Sequence, residues 1–416
     1  MNDKQERYRK EILSGLDRLW KDNGRIKAFK YFEDLAYRSL VSEIFGEPEP
    51  DVVLLGTGIP EVLLRAFPIN YRYITGGSHA MTAWSDDLVP RDTDPVSRSI
   101  LGQIHAPGIM DLSRSLFLIP IQSDSMRKIA FLLKEEGYHT FTLDIPPARD
   151  ERSVGEWERQ LVLMVEAIAG HAHKRISLAR IKKAAKTVTG ARYHLNRFIS
   201  DTEDRGQGIS GAGKMLIRNS FYYADDLEEW TYHLKVLGWE IEHSASRYRQ
   251  DVRPGILLTG SPILFPNYKI PFLIEDVGMR IRDFIDPSTV RQEEFLSTKG
   301  IHGTKNAMHA IAASSYKYDA SPAYTCNEAL MTAIHGSIRD GKIEGVIFHI
   351  LKGQIEYDFE LERMTEMFES YDIPVFRLET DFQDQDIEQL RIRLEAFCEM
   401  LSQKHCMQGK RIVQAS

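Results

Sequence analysis

Glu61 stands where a carboxylate can do acid–base work. It follows Pro60 and the apolar run Val52-Val53-Leu54-Leu55-Gly56, so a helix opening after a strand-ending glycine holds it at the mouth of a doubly wound sheet, where such folds bind ligands. A structural role is equally available, because Pro suits the first helical position and Glu complements the dipole in the first turn. Ser78 and His79, after Gly76-Gly77, occupy the next strand-to-loop position. They offer a hydroxyl and an imidazole to a substrate, although a surface or hydrogen-bonded core histidine is the plainer reading of His79. Gly260-Ser261-Pro262 and Pro266-Asn267 form a corresponding later loop. Backbone amides opening a helix at Tyr268 can bind a phosphate or carboxylate there, and Asn267 can equally be a plain N-cap.

Two other patterns carry less. Gly208-Ile209-Ser210-Gly211-Ala212-Gly213-Lys214 matches the first seven positions of a phosphate-binding loop, but Met215 replaces the Ser or Thr that holds magnesium. The preceding Asp201-Thr202-Glu203-Asp204-Arg205 is no buried strand, so a flexible turn between helices is the preferred reading. The three cysteines, Cys326, Cys398 and Cys406, have no two-residue spacing of a local metal clip. They read as buried or indifferent thiols, with Cys326, beside Asn327 and Glu328, the one with a polar setting that favours reactivity.

With 416 residues, 43% hydrophobic and 27% charged, the chain can bury more than one core. A net charge of -7 without long runs of one sign argues against a nucleic-acid surface. The polar start of the chain has no apolar stretch behind it to act as a signal peptide, and no segment reaches the roughly 20 apolar residues of a membrane span. A cytoplasmic location with reduced thiols is the expectation.

Strands and helices alternate as in an α/β protein. Residues 26–45 read as an amphipathic helix, 51–56 as a short buried strand, 60–67 as a helix, 116–120 as a buried strand, 126–136 as a helix and 140–144 as a third strand. The pattern then changes to long helical stretches such as 154–169 and 178–198. Alternation resumes with a strand from Gly255, a helix over 268–278, strands at 279–281, 345–350 and 374–378, and a closing helix over 386–402. The expected organisation is an α/β lobe over 1–150, a helical bridge over 151–239 and a second α/β lobe over 240–416, each lobe doubly wound with a mainly parallel sheet.

The run Gly345-Val346-Ile347-Phe348-His349-Ile350-Leu351-Lys352-Gly353-Gln354, followed by Ile373-Pro374-Val375, Leu378-Glu379-Thr380-Asp381 and Glu395-Ala396-Phe397, resembles the iron-sulfur subunits of 2-hydroxyacyl-CoA dehydratases and benzoyl-CoA reductases. The resemblance covers most of the chain. It implies two Rossmann-like lobes joined by a helical segment, an acyl-CoA pocket between them, pairing with a related subunit in a hetero-oligomer, and an ATP-dependent activator that delivers single electrons in anaerobic metabolism. It also implies that Glu61, in a Pro-Glu opening shared with the family, faces that pocket, and that the loop of Ser261 and Asn267 lies beside the substrate.

In that family three cysteines hold the cluster. The positions matching them here are Asp94, before Pro95; Ser123, after Pro120-Ile121-Gln122 and before the retained Asp124; and Gln354, after the retained Leu351-Lys352-Gly353. Clusters rest on soft thiolates, so the expectation is no cofactor and a cluster-free subunit that acts as a structural or acyl-CoA-binding partner. The alternatives are an active dehydratase subunit, a lyase or reductase component whose four-iron four-sulfur cluster is held by unusual ligands, and a regulatory protein that senses acyl-CoA.

Overall fold

The computed structural model describes residues 3–41, 49–106, 111–205, 208–243, 253–290, 296–339 and 343–415, with the side chains of 203–205 and 405–415 outside that description. Short runs of Val, Ile and Leu supply the sheet interiors. Strands β1 (Val52–Leu55), β2 (Tyr71–Ile74), β3 (Leu116–Ile121) and β4 (His139–Asp144) form one parallel sheet in the order β2-β1-β3-β4. Strands β5 (Gly255–Gly260), β6 (Arg280–Ile285), β7 (Gly345–Leu351) and β8 (Val375–Thr380) form a second in the order β6-β5-β7-β8. The two sheets therefore share one topology, and every described pairing is parallel.

The central strands β1, β3, β5 and β7 are buried along their whole length. Helices cover both faces of a parallel sheet, which is why these strands read as unbroken apolar runs. Edge strand β2 is Tyr71-Arg72-Tyr73-Ile74 and only half-buried. Its polar alternation leaves it without the apolar run that marks the central strands, and only the strand-to-loop position given to Gly76-Gly77 implies a strand before it. The expected strand at 279–281 extends to Ile285 in β6.

Several helices also depart from the sequence reading. The polar N-terminus forms Asp3–Asn23, which buries Tyr8, Ile12, Leu16 and Leu19 along one stripe. The segment expected as one helix over 26–45 is a short 3-10 turn, Lys27–Phe29, and then the helix Lys30–Val41; the remainder of that expectation lies outside the described residues. Helices Thr304–Lys317, Glu328–Arg339 and Glu356–Ser370 fill the second sheet's connections, and the closing helix runs over Ile387–Ala415.

Between the sheets in sequence come Glu151–Ala172, Leu178–Arg205, Gly211–Ser220 and Leu227–His243. Their buried faces join the main core, and their two buried indoles are hydrogen-bonded: Trp157 donates to Ser315 at 3.1 Å and Trp230 to Ser220 at 2.9 Å. Among the described residues no helix is long and apolar enough to cross a membrane.

Candidate functional site

A parallel sheet places its loops at the C-terminal ends of its strands, and ligands bind where the strand order reverses. Here both sheets turn those ends towards one cavity of about 70 Å³. Gly56 and Thr57 reach it from the end of β1, Gln122 and Ser123 from β3, and Pro262, Ser288 and Gln354 from the ends of β5, β6 and β7. Asp94 lines it as well, from the N-terminus of the helix Pro95–His105.

The three positions that match cluster cysteines thus meet, although Asp94 and Gln354 are 260 residues apart. Each has a structural task. Asp94 caps its helix by accepting the Ser97 amide at 3.0 Å, and Ser123 caps Asp124–Glu135 by accepting the Met126 amide at 3.3 Å. Gln354 donates from Nε2 to Asp94 Oδ1 at 3.3 Å. Gly353 makes this approach feasible: its φ is +87°, and a Cβ there would lie 3.0 Å from the Asp92 carbonyl oxygen.

Two oxygens of this group, Asp94 Oδ2 and Gln354 Oε1, are buried without a hydrogen-bond partner in the protein. Glu356, absent from the sequence-based candidates, also lines the cavity. Burial, with Asp94 and Asp124 nearby, pushes its carboxyl up to about 7. Its place two residues after the matched Gln354 is the signal that could have found it.

A larger groove of about 680 Å³ lies beneath the N-terminal helix and takes in His79 and Asn267. Lys4, Arg7, Lys10, Arg18, Lys269 and Arg391 line it, against the carboxylates of Glu11, Asp276 and Asp384. Ser78 sits behind this surface, fully buried. Its hydroxyl donates to Glu11 at 2.6 Å, and the amides of His79 and Ala80 donate to the same carboxylate at 2.9 and 3.2 Å. The turn expected to offer these groups to a substrate is therefore occupied by the protein's own Glu11, whose carboxyl is pushed up by burial against the pull of those bonds. Nothing in the polar N-terminal sequence marked Glu11 beforehand.

Asn267 does not cap the next helix. It donates from Nδ2 to the Phe382 carbonyl at 3.2 Å and from its amide to the Gly77 carbonyl at 2.9 Å, while the cap position of Lys269–Asp276 is Tyr268. It thereby ties the loop after β5 to the Gly76-Gly77 turn and to the end of β8.

Ser261 is fully buried and lines neither the cavity nor the groove. Its hydroxyl accepts the Leu351 amide at 2.9 Å, locking the end of β5 to the end of β7. Leaving that amide without an acceptor in the interior costs about 1–3 kcal/mol. Ser261→Ala is accordingly expected to lower the urea-unfolding free energy by that amount while leaving ligand affinity in the groove unchanged; a change in affinity with unaltered stability would place the hydroxyl at a ligand instead.

Glu61 is likewise turned inward. It is 1% exposed, accepts a short hydrogen bond from Tyr73 Oη, and accepts another from Arg65 Nε at 3.2 Å. Arg65 in turn donates to the carbonyls of Ala224 and Asp225 at 2.8 and 3.0 Å. The carboxylate thus joins the helix Glu61–Ala66 to β2 and, through Arg65, to the segment that follows Gly211–Ser220.

The glycine-rich segment holds no phosphate-binding turn. Ser210 caps Gly211–Ser220 through the Gly213 amide at 3.0 Å, and the Gly211 amide donates to Glu275 at 2.6 Å. Lys214 is buried in that helix, with burial and neighbouring Arg280 holding its ammonium down at about 7. Of the cysteines, Cys326 is half-buried and its sulfur accepts from Arg363 at 2.9 Å. Burial pushes half-buried Cys398 up, and the side chain of Cys406 lies outside the described residues.

Comparison with known proteins accords with this architecture. Residues 57–401 match the family described as 2-hydroxyglutaryl-CoA dehydratase, D-component. A protein of Escherichia coli (strain K12) named "Putative dehydratase subunit YjiM" is 22% identical over 255 residues. That match covers 61% of this chain and 65% of the relative, just under two thirds of its length. With a single family covering the first sheet from the end of β1 onward, the helical middle and the whole second sheet, the chain belongs to the 2-hydroxyglutaryl-CoA dehydratase D-component family.

Proposed function

We propose that this chain is a cluster-free member of its family, acting as a structural or acyl-CoA-binding subunit beside a related subunit in a cytoplasmic hetero-oligomer. One observation carries the reading: the cavity where the matched positions meet presents Asp94, Ser123 and Gln354, and among the described residues no cysteine or histidine lines it. An iron-sulfur cluster needs anionic sulfur ligands. Of these three side chains one is a carboxylate, one a hydroxyl already capping a helix and one a neutral amide, a set that does not fit a cluster. No electron-transfer step is assigned to this chain for that reason.

The groove supports the acyl-CoA part of the reading. Its volume suits an extended ligand, and six cationic side chains against three carboxylates suit the phosphates of a CoA moiety. His79 and Asn267 are the sequence-based candidates exposed to such a ligand, whereas Ser78 is buried behind it and Ser261 and Glu61 line neither the groove nor the inner cavity.

Iron and acid-labile sulfide, measured with an absorption spectrum on protein purified without oxygen, test the proposal. The expected result is neither element in stoichiometric amount; about four irons per chain with matching sulfide would return the chain to the electron-transferring subunits. Titration with an acyl-CoA is expected to show saturable binding that weakens as salt is raised, since exposed charge pairs are screened.

A further inference from the structure

The inner cavity is more specific than a vacated space. Among the described residues two carboxylates, Asp94 and Glu356, line it, and no Lys, Arg or His does. Asp94 is 3% exposed and Gln354 9%. One oxygen of each, Asp94 Oδ2 and Gln354 Oε1, has no hydrogen-bond donor within the protein. A buried acceptor left bare costs about 1–3 kcal/mol, more when it is charged, and uncompensated negative charge in such a place is normally paired or bound to a metal. The described walls therefore supply no positive group, and they present the acceptors that one would need.

The chemistry of the walls selects the kind of cation. The polar donors are oxygens of carboxylates, amides and hydroxyls, and Met126 contributes a neutral thioether as the cavity's sulfur. Oxygen sets of this type prefer hard ions such as Mg²⁺ and Mn²⁺ over the softer ions that thiolate and imidazole select. Among the described residues no group of three His, Cys, Asp or Glu side chains is poised to hold a metal, so a complete cage of charged ligands is absent from this cavity. Magnesium-type ions suit that arrangement, because they keep several waters and take only one or two carboxylates. About 70 Å³ leaves room for an ion with part of its water shell.

We propose that this cavity binds a single hard divalent cation, with Asp94 Oδ2 and Gln354 Oε1 as direct ligands and Glu356 reached directly or through water. The inference rests on the cluster-free reading above. Because Asp94 comes from the first sheet's connections and Gln354 from the end of β7, the ion would clamp the facing ends of the two sheets.

The test uses the full chain, purified without oxygen and first analysed for iron and sulfide, with Mn²⁺ as the probe in equilibrium dialysis and electron paramagnetic resonance. One saturable Mn²⁺ site, displaced by Mg²⁺ and weakened at least about tenfold in both Asp94→Asn and Glu356→Gln, is the expected result, since even outer partners of a metal ligand are worth that much. Asn keeps the helix cap, and the cap-independent Glu356→Gln provides a second variant if the first does not fold. Mg²⁺ should also raise the melting temperature of the wild type and not of Asp94→Asn, by linkage of binding to folding. Absence of saturable binding, or equal affinity in wild type and both variants, overturns the cation site while leaving the cluster-free reading intact. Stoichiometric iron and sulfide overturns that reading, and the cation site with it.

Discussion

Replacing Glu61 with alanine is expected to destabilise the protein by about 3 to 5 kcal/mol, the usual loss when one partner of a buried ion pair is removed. The reason lies in what remains. Arg65, whose side chain is 9% exposed, keeps its bonds to Ala224 and Asp225 but loses its carboxylate, and the Tyr73 hydroxyl loses its acceptor. Burial and that same carboxylate hold the Tyr73 phenol well above its usual range, so the tyrosine is a donor at neutral pH. Glu61→Gln retains an acceptor oxygen and should lose clearly less. Urea unfolding of the three proteins measures this ordering. Should Glu61→Ala unfold like the wild type yet bind acyl-CoA poorly, the carboxylate faces a ligand and the inward network is not its role.

Acidification is expected to expose a second buried group. His349, on β7, is held down at about 4, first by burial and further by Lys269. Its Nδ1 lies 3.4 Å from the Ser261 carbonyl, which can only accept, so Nδ1 carries the proton of the neutral ring; Nε2 is buried without a partner. A free histidine titrates near 6.5. Because the folded value is the lower one, the stabilisation is complete above pH 6.5 and is lost as pH falls towards 4, where the folded ring finally protonates. Between pH 7.5 and 5 this amounts to about 2 kcal/mol.

Other groups act in the opposite sense. Burial raises Glu33 to about 7 and Asp286 to about 6, and each favours the folded state at low pH, an effect that fades as pH rises through its folded value. Comparison with His349→Asn cancels these contributions. The unfolding free energy of the wild type relative to the variant should therefore fall by about 2 kcal/mol on going from pH 7.5 to 5, and an unchanged difference would mean that water or a partner reaches Nε2.

The sequence was most informative where one physical requirement governs a run of residues. A central strand of a covered parallel sheet must be apolar on both faces, and β1, β3, β5 and β7 announce themselves for that reason. An edge strand carries no such requirement, so Tyr71-Arg72-Tyr73-Ile74 of β2 does not. The N-terminal helix shows a related limit: its apolar stripe is spaced among charged residues and is diluted when the polar first ten residues are considered alone. Motif residues divide in the same way. Leu351-Lys352-Gly353-Gln354 is recognisable because a strand end, a left-handed glycine and a cavity-facing side chain follow in sequence order. Glu61 and Ser261 share that local setting at strand ends, but their side chains turn to partners such as Tyr73 and Leu351 that no local pattern identifies.

Family membership, two parallel lobes and the absence of cysteine at the matched positions are all legible in the linear chain, since each depends on residue type and local order. The meeting of Asp94 with Gln354, the bare oxygens they leave, the closure of the Ser78 turn by Glu11 and the inward role of Glu61 depend on which loops the two sheets bring face to face. Such contacts join residues far apart in sequence, where periodicity and composition impose no register, and packing of the whole chain sets them.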